Sequence, residues 1–282
     1  CPGSRDRKLS RRVLGGHPRA LSTLFFTEMW ERFTFYGMRA LLVLFLVDAV
    51  DSGGYGLDDK TATAIYGLYT AAVFMAALPG GWIADRLIGA QRAVMIGGTL
   101  MTLGTLMLTI PGPKPLFFGG LVVIILGVGL LKPNVSTLVA DLYPEGGGRR
   151  DAGFTIFYMG INLGAFIGPL IAGWLAQRYG WRIGFLAAAI GLPFGLLQFW
   201  LSRRLFNGAG AQPNRNDGGA GLATDWRRLW IALAVFAAIA ALLFSGTVPL
   251  DPARLAKSAA YVLVGMAALY FLYLFFGAGL DP

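Results

Sequence analysis

The stretch of sequence that decides the fold is Glu28-Met29-Trp30-Glu31-Arg32-Phe33-Thr34-Phe35-Tyr36-Gly37-Met38-Arg39. It lies inside an apolar run from about Leu21 to Val47, which is long enough to cross a bilayer as a helix. At about 100° per residue, one stripe of roughly 140° holds Glu28, Glu31, Arg32, Phe35, Tyr36 and Arg39. A helix keeps charges at membrane depth only where they face a protein interior or a water-filled cavity. The stretch therefore favours a polar pathway through a transporter over a buried ion pair that only fixes helix packing.

The composition is that of a membrane protein. The 282 residues are 56% hydrophobic and their mean hydropathy is +0.61, which is more than a soluble domain of this length needs. The net charge of +9 comes from cations that flank apolar segments, so we interpret them as topology signals and expect no nucleic-acid partner. One cysteine, Cys1, and one histidine, His17, provide neither a disulfide framework nor a Cys/His metal site.

The apolar runs predict eight membrane-spanning helices in four segments of chain. Residues 1–20 form a basic tail on the cytoplasmic side, and residues 21–206 form a bundle of six helices. Residues 207–226 are rich in Gly, Asn and Ala and predict a flexible cytoplasmic linker, and residues 227–282 hold two further helices. The predicted spans are 21–47, 62–84, 93–110, 116–140, 152–176, 183–201, 230–244 and 259–276.

The distribution of cations predicts the orientation of the chain. Lys and Arg are concentrated in the tail, around residues 86–92, at 149–150, at 203–204 and at 215–228. The alternate loops hold fewer cations, and the loop 48–60 holds four aspartates against one lysine. By the positive-inside rule, both termini of the chain are expected in the cytoplasm. The membrane in which the protein lies is expected to be the plasma (inner) membrane.

The fourth and fifth spans add polar groups near the middle of the membrane. Lys132 lies about 12 Å from the inner end of its helix, and Arg32 lies about 16 Å from the inner end of the first helix. This is the depth at which transporters bind substrates, although Lys132 can also snorkel to the interface. Asn162 lies in the middle of the fifth span, where either an interhelical hydrogen bond or a substrate-facing amide is consistent with its position.

Two further passages carry recognisable patterns. Gly80-Gly81-Trp82-Ile83-Ala84-Asp85-Arg86, followed by Gly89 and Arg92, forms the short connection between the second and third spans. Phe157-Tyr158-Met159-Gly160-Ile161-Asn162-Leu163-Gly164-Ala165-Phe166 lies in the fifth span. Together with ExxERFxxYG on the first helix, these passages resemble the proton-dependent oligopeptide transporters of the major facilitator superfamily. The resemblance runs in order over nearly the whole chain.

The resemblance implies a fold and a set of functional residues. The fold is an all-α membrane protein, with the N-terminal six-helix bundle of the superfamily followed by two additional linker helices. The family's second six-helix bundle, which supplies the other wall of the cavity, would lie beyond Pro282. Substrate binding is assigned to Arg32, Tyr36, Arg39, Phe74, Lys132 and Asn162, and proton coupling to Glu28, Glu31 and Arg32. The loop motif, with Gly81, Asp85, Arg86, Gly89 and Arg92, is expected to act as a cytoplasmic gate, although a tight basic turn would explain it too.

The implied activity is symport of di- and tripeptides with protons and without a cofactor or metal. A peptide carboxylate needs cations, which Arg39 and Lys132 supply, while Tyr36 and Asn162 can hydrogen-bond the peptide backbone that every substrate shares. Glu28 and Glu31 beside Arg32 form a coupled group that is expected to carry the proton. Phe35 and Phe74 stand where the family often has tyrosine, and both differences remove hydroxyls from the expected cavity.

Three other functions remain open at this point. Another porter of the superfamily, for an anion, a sugar or a drug, fits the loop motif, although the charged first helix does not predict a neutral substrate. An intramembrane enzyme would need a nucleophile and a base, but the single histidine lies in the tail and no Ser/His or Asp/Asp pair converges in the spans. A half-transporter that acts as a scaffold or sensor is the third alternative.

Overall fold

The computed structural model describes residues 16–213, 221–245 and 251–276. Most of the predicted basic tail (residues 1–15) and part of the predicted linker (residues 214–220) lie outside the described residues. Within the described residues the chain forms eight long helices and no strand. These are α1 (Arg19–Val47), α2 (Asp59–Ile83), α3 (Ala90–Met107), α4 (Lys114–Asp141), α5 (Gly147–Tyr179), α6 (Trp181–Ser202), α7 (Leu222–Phe244) and α8 (Pro252–Phe276).

The membrane character predicted for the helices is confirmed for four of them. Within the described part of the chain, four helical segments are long and apolar enough to cross a bilayer: Asp59–Ile88, Lys114–Asp141, Gly147–Tyr179 and Trp181–Phe206. α1 is of similar length, but its polar stretch lowers its hydropathy, and the glutamates of that stretch are buried inside the bundle.

The connections differ from the prediction at one end of the bundle. Residues 177–182 were expected to form a short external turn, but α5 continues to Tyr179 and α6 begins at Trp181. The reversal is made by Gly180, whose φ of 94° is accessible to glycine at little cost. The predicted third span also ends early, because the helix stops at Met107 rather than at residue 110.

The last two helices begin earlier than hydrophobicity alone predicts. α7 starts at Leu222, inside the predicted linker, and a pair between Asp225 and Arg228 lies in its first two turns. α8 starts at Pro252, where Asp251 caps the helix by accepting hydrogen bonds from the backbone N–H groups of Ala253 and Arg254. Polar first turns extend a helix beyond the apolar run that identifies it, which is why the prediction was short.

α1 lies in the middle of one side of the bundle and packs mainly against α5 and α6. On the other side α4 packs against α2 and α3, and α8 lies along α2. α1 and α5 cross closely because Gly160, Gly164 and Gly168 of α5 sit over the backbone of α1, where an added Cβ would overlap main-chain atoms. Two other glycines of α5 do not take part in this contact: Gly153 faces the ring of Tyr143, and a Cβ at Gly173 would have no neighbour within 4 Å.

An aromatic cluster closes the end of the bundle where α1 stops and α4 and α6 start. Phe45, Tyr55, Phe117 and Phe185 contact one another with ring centroids 4.8–6.0 Å apart. The indole N–H of Trp181 donates a 2.6 Å hydrogen bond to Asp48 and ties α6 to the end of α1. These contacts fix the C-terminal end of α1, beyond its polar stretch.

Candidate functional site

The site is built around a buried charge cluster on α1. Nε of Arg32 lies 2.7 Å from Oε1 of Glu28 and 2.9 Å from Oε2 of Glu31. All three residues are at most 5% exposed. The single hydrogen on Nε is donated to Glu28, and both carboxylate oxygens of Glu31 lack a hydrogen-bond donor among the described residues. Two acids therefore share one cation, with only one of them properly hydrogen-bonded.

The packing of α5 against α1 keeps this cluster buried. A Cβ placed at Gly164 would lie 3.0 Å from Cβ of Arg32 and would overlap the backbone of Met29. The glycine therefore allows α5 to cover one side of the arginine. The other side of α1 turns toward α2 and α4, which carry the remaining polar groups.

Arg39 lies two turns further along α1 and is held by aromatic side chains. Its Nε donates a hydrogen bond to the hydroxyl of Tyr66 on α2. Its guanidinium carbon lies 5.0 Å from the ring centroid of Tyr66 and 6.0 Å from the rings of Phe35 and Tyr36. Arg39 and Tyr36 are half-buried, so the cation is positioned by protein while part of it stays accessible.

Lys132 of α4 completes the cationic group. It is half-buried, and its Nζ lies 4.5 Å from the ring centroid of Phe74 on α2. It interacts electrostatically with Arg32, Glu31, Glu28 and Arg39. The structure thus brings five of the ionisable residues selected from the sequence into one region: Glu28, Glu31, Arg32, Arg39 and Lys132.

Two of the residues predicted to bind substrate, Asn162 and Phe74, are exposed at the surface of their helices. Asn162 is exposed on α5. Phe74 is exposed on α2, where 61% of its surface is accessible. Both therefore lie on the open surface of the bundle rather than in its packed interior.

Sequence reasoning missed four polar groups around the charges. Tyr66 was not selected although it holds Arg39, and Tyr69 is 3% exposed with a hydroxyl that has no partner among the described residues. Thr34 of α1 and Thr70 of α2 also have buried hydroxyls that find no hydrogen-bond partner in the described part of the chain. The signal was present in α2, because Tyr66, Tyr69, Thr70 and Phe74 are spaced as one face of a helix.

The predicted loop motif forms the connection between α2 and α3. α2 continues into one π-helical turn, Ala84–Ile88, and ends at Gly89, whose φ is 82°. Gly81 faces the ring of Pro133 on α4, and Asp85 interacts electrostatically with Asp141 at the end of α4. Arg86 also interacts with another residue of the protein.

The connection is braced by the segment that follows α6. The backbone N–H of Gln91 donates to the carbonyl of Gly210 at 2.9 Å, and its side-chain amide donates to the carbonyl of Ala209 at 2.6 Å. A Cβ at Gly89 would lie 2.9 Å from the same carbonyl of Gly210. Arg92 is exposed and forms no ion pair within the described part of the chain.

Charges buried inside a bundle of membrane-spanning helices are typical of proteins that move substrates, ions or protons across a membrane. The family model that matches the chain is that of the POT family (PTR2), over residues 91–226. Residues 91–226 therefore match a POT family domain, and the chain is an integral membrane protein.

Individual relatives agree with this assignment. The chain is 43% identical over 278 residues to the peptide transporter YePEPT of Yersinia enterocolitica subsp. palearctica, covering 94% of this chain and 53% of the relative. It is 47% identical over 202 residues to the di-/tripeptide transporter of Lactococcus lactis subsp. lactis, covering 71% of this chain and 41% of that protein. The chain thus spans about half the length of the curated relatives that it matches.

Solved structures confirm the fold. A crystal structure of a peptide transporter POT in complex with sulfate superimposes with a TM-score of 0.85 at 39% identity, covering 97% of this chain and 56% of the other. A POT family transporter in complex with a thioalcohol-conjugated peptide gives a TM-score of 0.82 at 36% identity, covering 95% and 55%. The similarity includes α7 and α8, since the coverage exceeds the length of the six-helix bundle.

Proposed function

We propose that the chain forms one half of a proton-coupled symporter for di- and tripeptides. The observation that carries the proposal is the buried trio of Glu28, Glu31 and Arg32, which faces the same side of the bundle as Arg39 and Lys132. The relatives named as peptide transporters support the substrate class.

The cations and the acids suit different parts of this task. Arg39 and Lys132 are partly accessible and can pair with a peptide carboxylate, while Tyr36 and Asn162 can hydrogen-bond the peptide backbone. Glu31 is shielded from solvent and has no hydrogen-bond donor among the described residues, so it can accept a proton without first breaking a hydrogen bond. Protonation of Glu31 leaves Arg32 paired with Glu28 alone.

The remaining parts of the proposal concern the whole protein. The partner of this half is a second six-helix bundle, because alternating access requires two bundles that rock about a shared central site. The protein works in the plasma (inner) membrane as a transporter rather than an enzyme, with both termini of this chain in the cytoplasm and with protons but no bound cofactor. The loop motif, with Asp85, Arg86 and Arg92, gates the cytoplasmic side.

The test is uptake by the purified full-length protein in liposomes. With an inwardly directed proton gradient, labelled dialanine should accumulate, and an uncoupler should abolish the accumulation. A sugar and an inorganic anion should neither accumulate nor compete. Accumulation of one of these instead of the peptide would overturn the substrate class and favour another porter of the superfamily.

The 282 residues expressed alone provide a second arm of the test. They should insert into the membrane and give no uptake, because one bundle offers only one wall of the site. Dialanine binding without any transport by the full-length protein would overturn symport and favour a scaffold or sensor.

A further inference from the structure

A groove on the outer surface of the bundle lies away from the charge cluster. It has a volume of about 520 Å³ and runs between the start of α3 and the end of α6. Two guanidinium groups line it, those of Arg92 and Arg203, together with the rings of Phe199 and Trp200. Its position on the far side of α3 and α6 separates it from the proposed peptide site on α1, α2 and α4.

The two arginines have no acidic partner among the residues that the structure describes. The ion pairs formed by other surface arginines, such as Arg149 with Glu145 and Arg254 with Asp251, have no counterpart here. Arg203 lies 5.7 Å from the ring centroid of Trp200, a contact that orients the guanidinium without neutralising it. The groove therefore presents two positive charges that no acidic residue of the described part of the chain compensates.

The groove continues along α3 as an apolar channel. A second depression of about 240 Å³ shares Met95 and Ile96 with the first and extends to Thr99 and Leu100. The hydroxyl of Thr99 is hydrogen-bonded to the carbonyl of Met95, so it adds little polarity to the channel. One continuous surface thus has cations at one end and an apolar path about one and a half helical turns long at the other.

The wall of the cationic end is fixed by backbone contacts. Gln91 and Ala211 also line the groove, and Gln91 is hydrogen-bonded to the carbonyls of Ala209 and Gly210. The segment after α6 is therefore held against the start of α3. As a result, Arg92 and Arg203 line the same groove.

We propose that this groove binds one anionic phospholipid, with its phosphate between Arg92 and Arg203 and an acyl chain along Met95, Ile96, Thr99 and Leu100. Helix ends carrying Arg and Trp mark the membrane–water interface, where lipid phosphates lie. Two cations with no acidic partner match a headgroup with net negative charge better than a zwitterionic one. A soluble phosphorylated metabolite would satisfy the guanidinium groups but not the apolar channel.

The test is native mass spectrometry of the purified full-length protein in detergent, titrated with dioleoylphosphatidylglycerol or dioleoylphosphatidylcholine. The wild-type protein should retain phosphatidylglycerol in preference to phosphatidylcholine. Arg92→Gln/Arg203→Gln should reduce that preference by about tenfold or more, the order expected when two cationic groups are lost near a membrane surface. Arg150→Gln/Arg204→Gln removes the same charge from exposed sites outside the groove and should leave the preference unchanged.

Two further arms separate the alternatives. Arg203→Gln alone keeps Arg92 in the loop motif and should reduce the preference in part, so a folding defect of the double variant does not decide the outcome. Thr99→Trp fills the apolar channel and should weaken phosphatidylglycerol binding while both arginines remain. Equal loss of preference in both double variants, or retention of inorganic phosphate in place of the lipid, would overturn the proposal.

Discussion

Glu31 is the residue on which the proposed coupling depends. It is fully buried, and Nε of Arg32 lies 2.9 Å away but donates its hydrogen to Glu28. A buried carboxylate without a donor is costly, and protonation removes its charge. Glutamine has nearly the same shape as the protonated acid but cannot release a proton.

Glu31→Gln should therefore abolish proton-driven dialanine uptake and preserve counterflow exchange. Both activities are measured with the full-length protein in liposomes, with and without a proton gradient. Glu145→Gln is the matched control, because Glu145 is an exposed carboxylate that, like Glu31, pairs with an arginine, in this case Arg149. Equal loss of uptake and exchange in Glu31→Gln would contradict a coupling role and indicate a structural one.

Tyr66 is a positioning residue for Arg39, since its hydroxyl accepts the hydrogen bond from Nε. Tyr66→Phe should raise the KM for dialanine by roughly tenfold or more, in line with the loss of one hydrogen bond to a charged group. The maximal rate should change less, because the ring that faces the guanidinium remains. Tyr179→Phe, at an exposed position at the end of α5, is the control. An unchanged KM in Tyr66→Phe would show that Arg39 does not need this contact.

At the scale of the helices, the crossing of α1 and α5 positions the charge cluster. An added Cβ at Gly164 would overlap the backbone of Met29 and would crowd Arg32. Gly164→Ala should therefore lower the melting temperature of the detergent-solubilised protein, by an amount corresponding to about 1–3 kcal/mol of overpacking. Gly173→Ala on the same helix has open space around it and should have no such effect, because alanine is the better helix former. Similar melting temperatures for both variants would mean that α5 shifts away from α1 without cost.

The helices themselves were largely predictable, because a membrane span needs a long apolar run and the chain holds such runs at regular intervals. Their ends were less predictable. The turn at Gly180 takes a single residue, and its positive φ does not follow from hydrophobicity. The starts of α7 and α8 depend on polar first turns at Asp225 and Asp251, which a search for apolar residues does not include.

For the molecule as a whole, the ionisable residues of the site were predictable because a charge inside a span is unusual enough to be noticed. Their partners were not, since tyrosine and threonine occur in membrane helices without any special role. Tyr66 and Tyr69 contribute to the site because α2 packs beside the polar face of α1 and beside α4. That packing depends on the fold of the whole bundle and not on the sequence of α2 alone. The groove at Arg92 and Arg203 likewise joins two residues that are far apart in sequence.

The orientation of the whole bundle in the membrane is the last prediction. The loop after α1 carries Asp51 and Asp58 and is followed by Asp59 at the start of α2, while the connection between α4 and α5 is followed by Arg149 and Arg150 in the first turn of α5. Because cations in short loops are retained in the cytoplasm, the first loop should be external and the second internal. Hydrogen bonding from Thr61 also lowers the pKa of the Asp58 carboxyl below its ordinary value, so Asp58 keeps its negative charge to a lower pH than an ordinary aspartate.

Single cysteines can test this orientation cleanly, since the sequence contains only Cys1. In a Cys1→Ser background, Ser52→Cys should react with a membrane-impermeant maleimide in intact cells, because Ser52 is exposed in the first loop. Arg150→Cys is equally exposed but should react only after the cells are permeabilised. The reverse pattern would invert the bundle, and it would place Arg92 and Arg203 in the outer leaflet. The proposed phospholipid would then have to be recruited from that leaflet, so the labelling result also decides which leaflet supplies it.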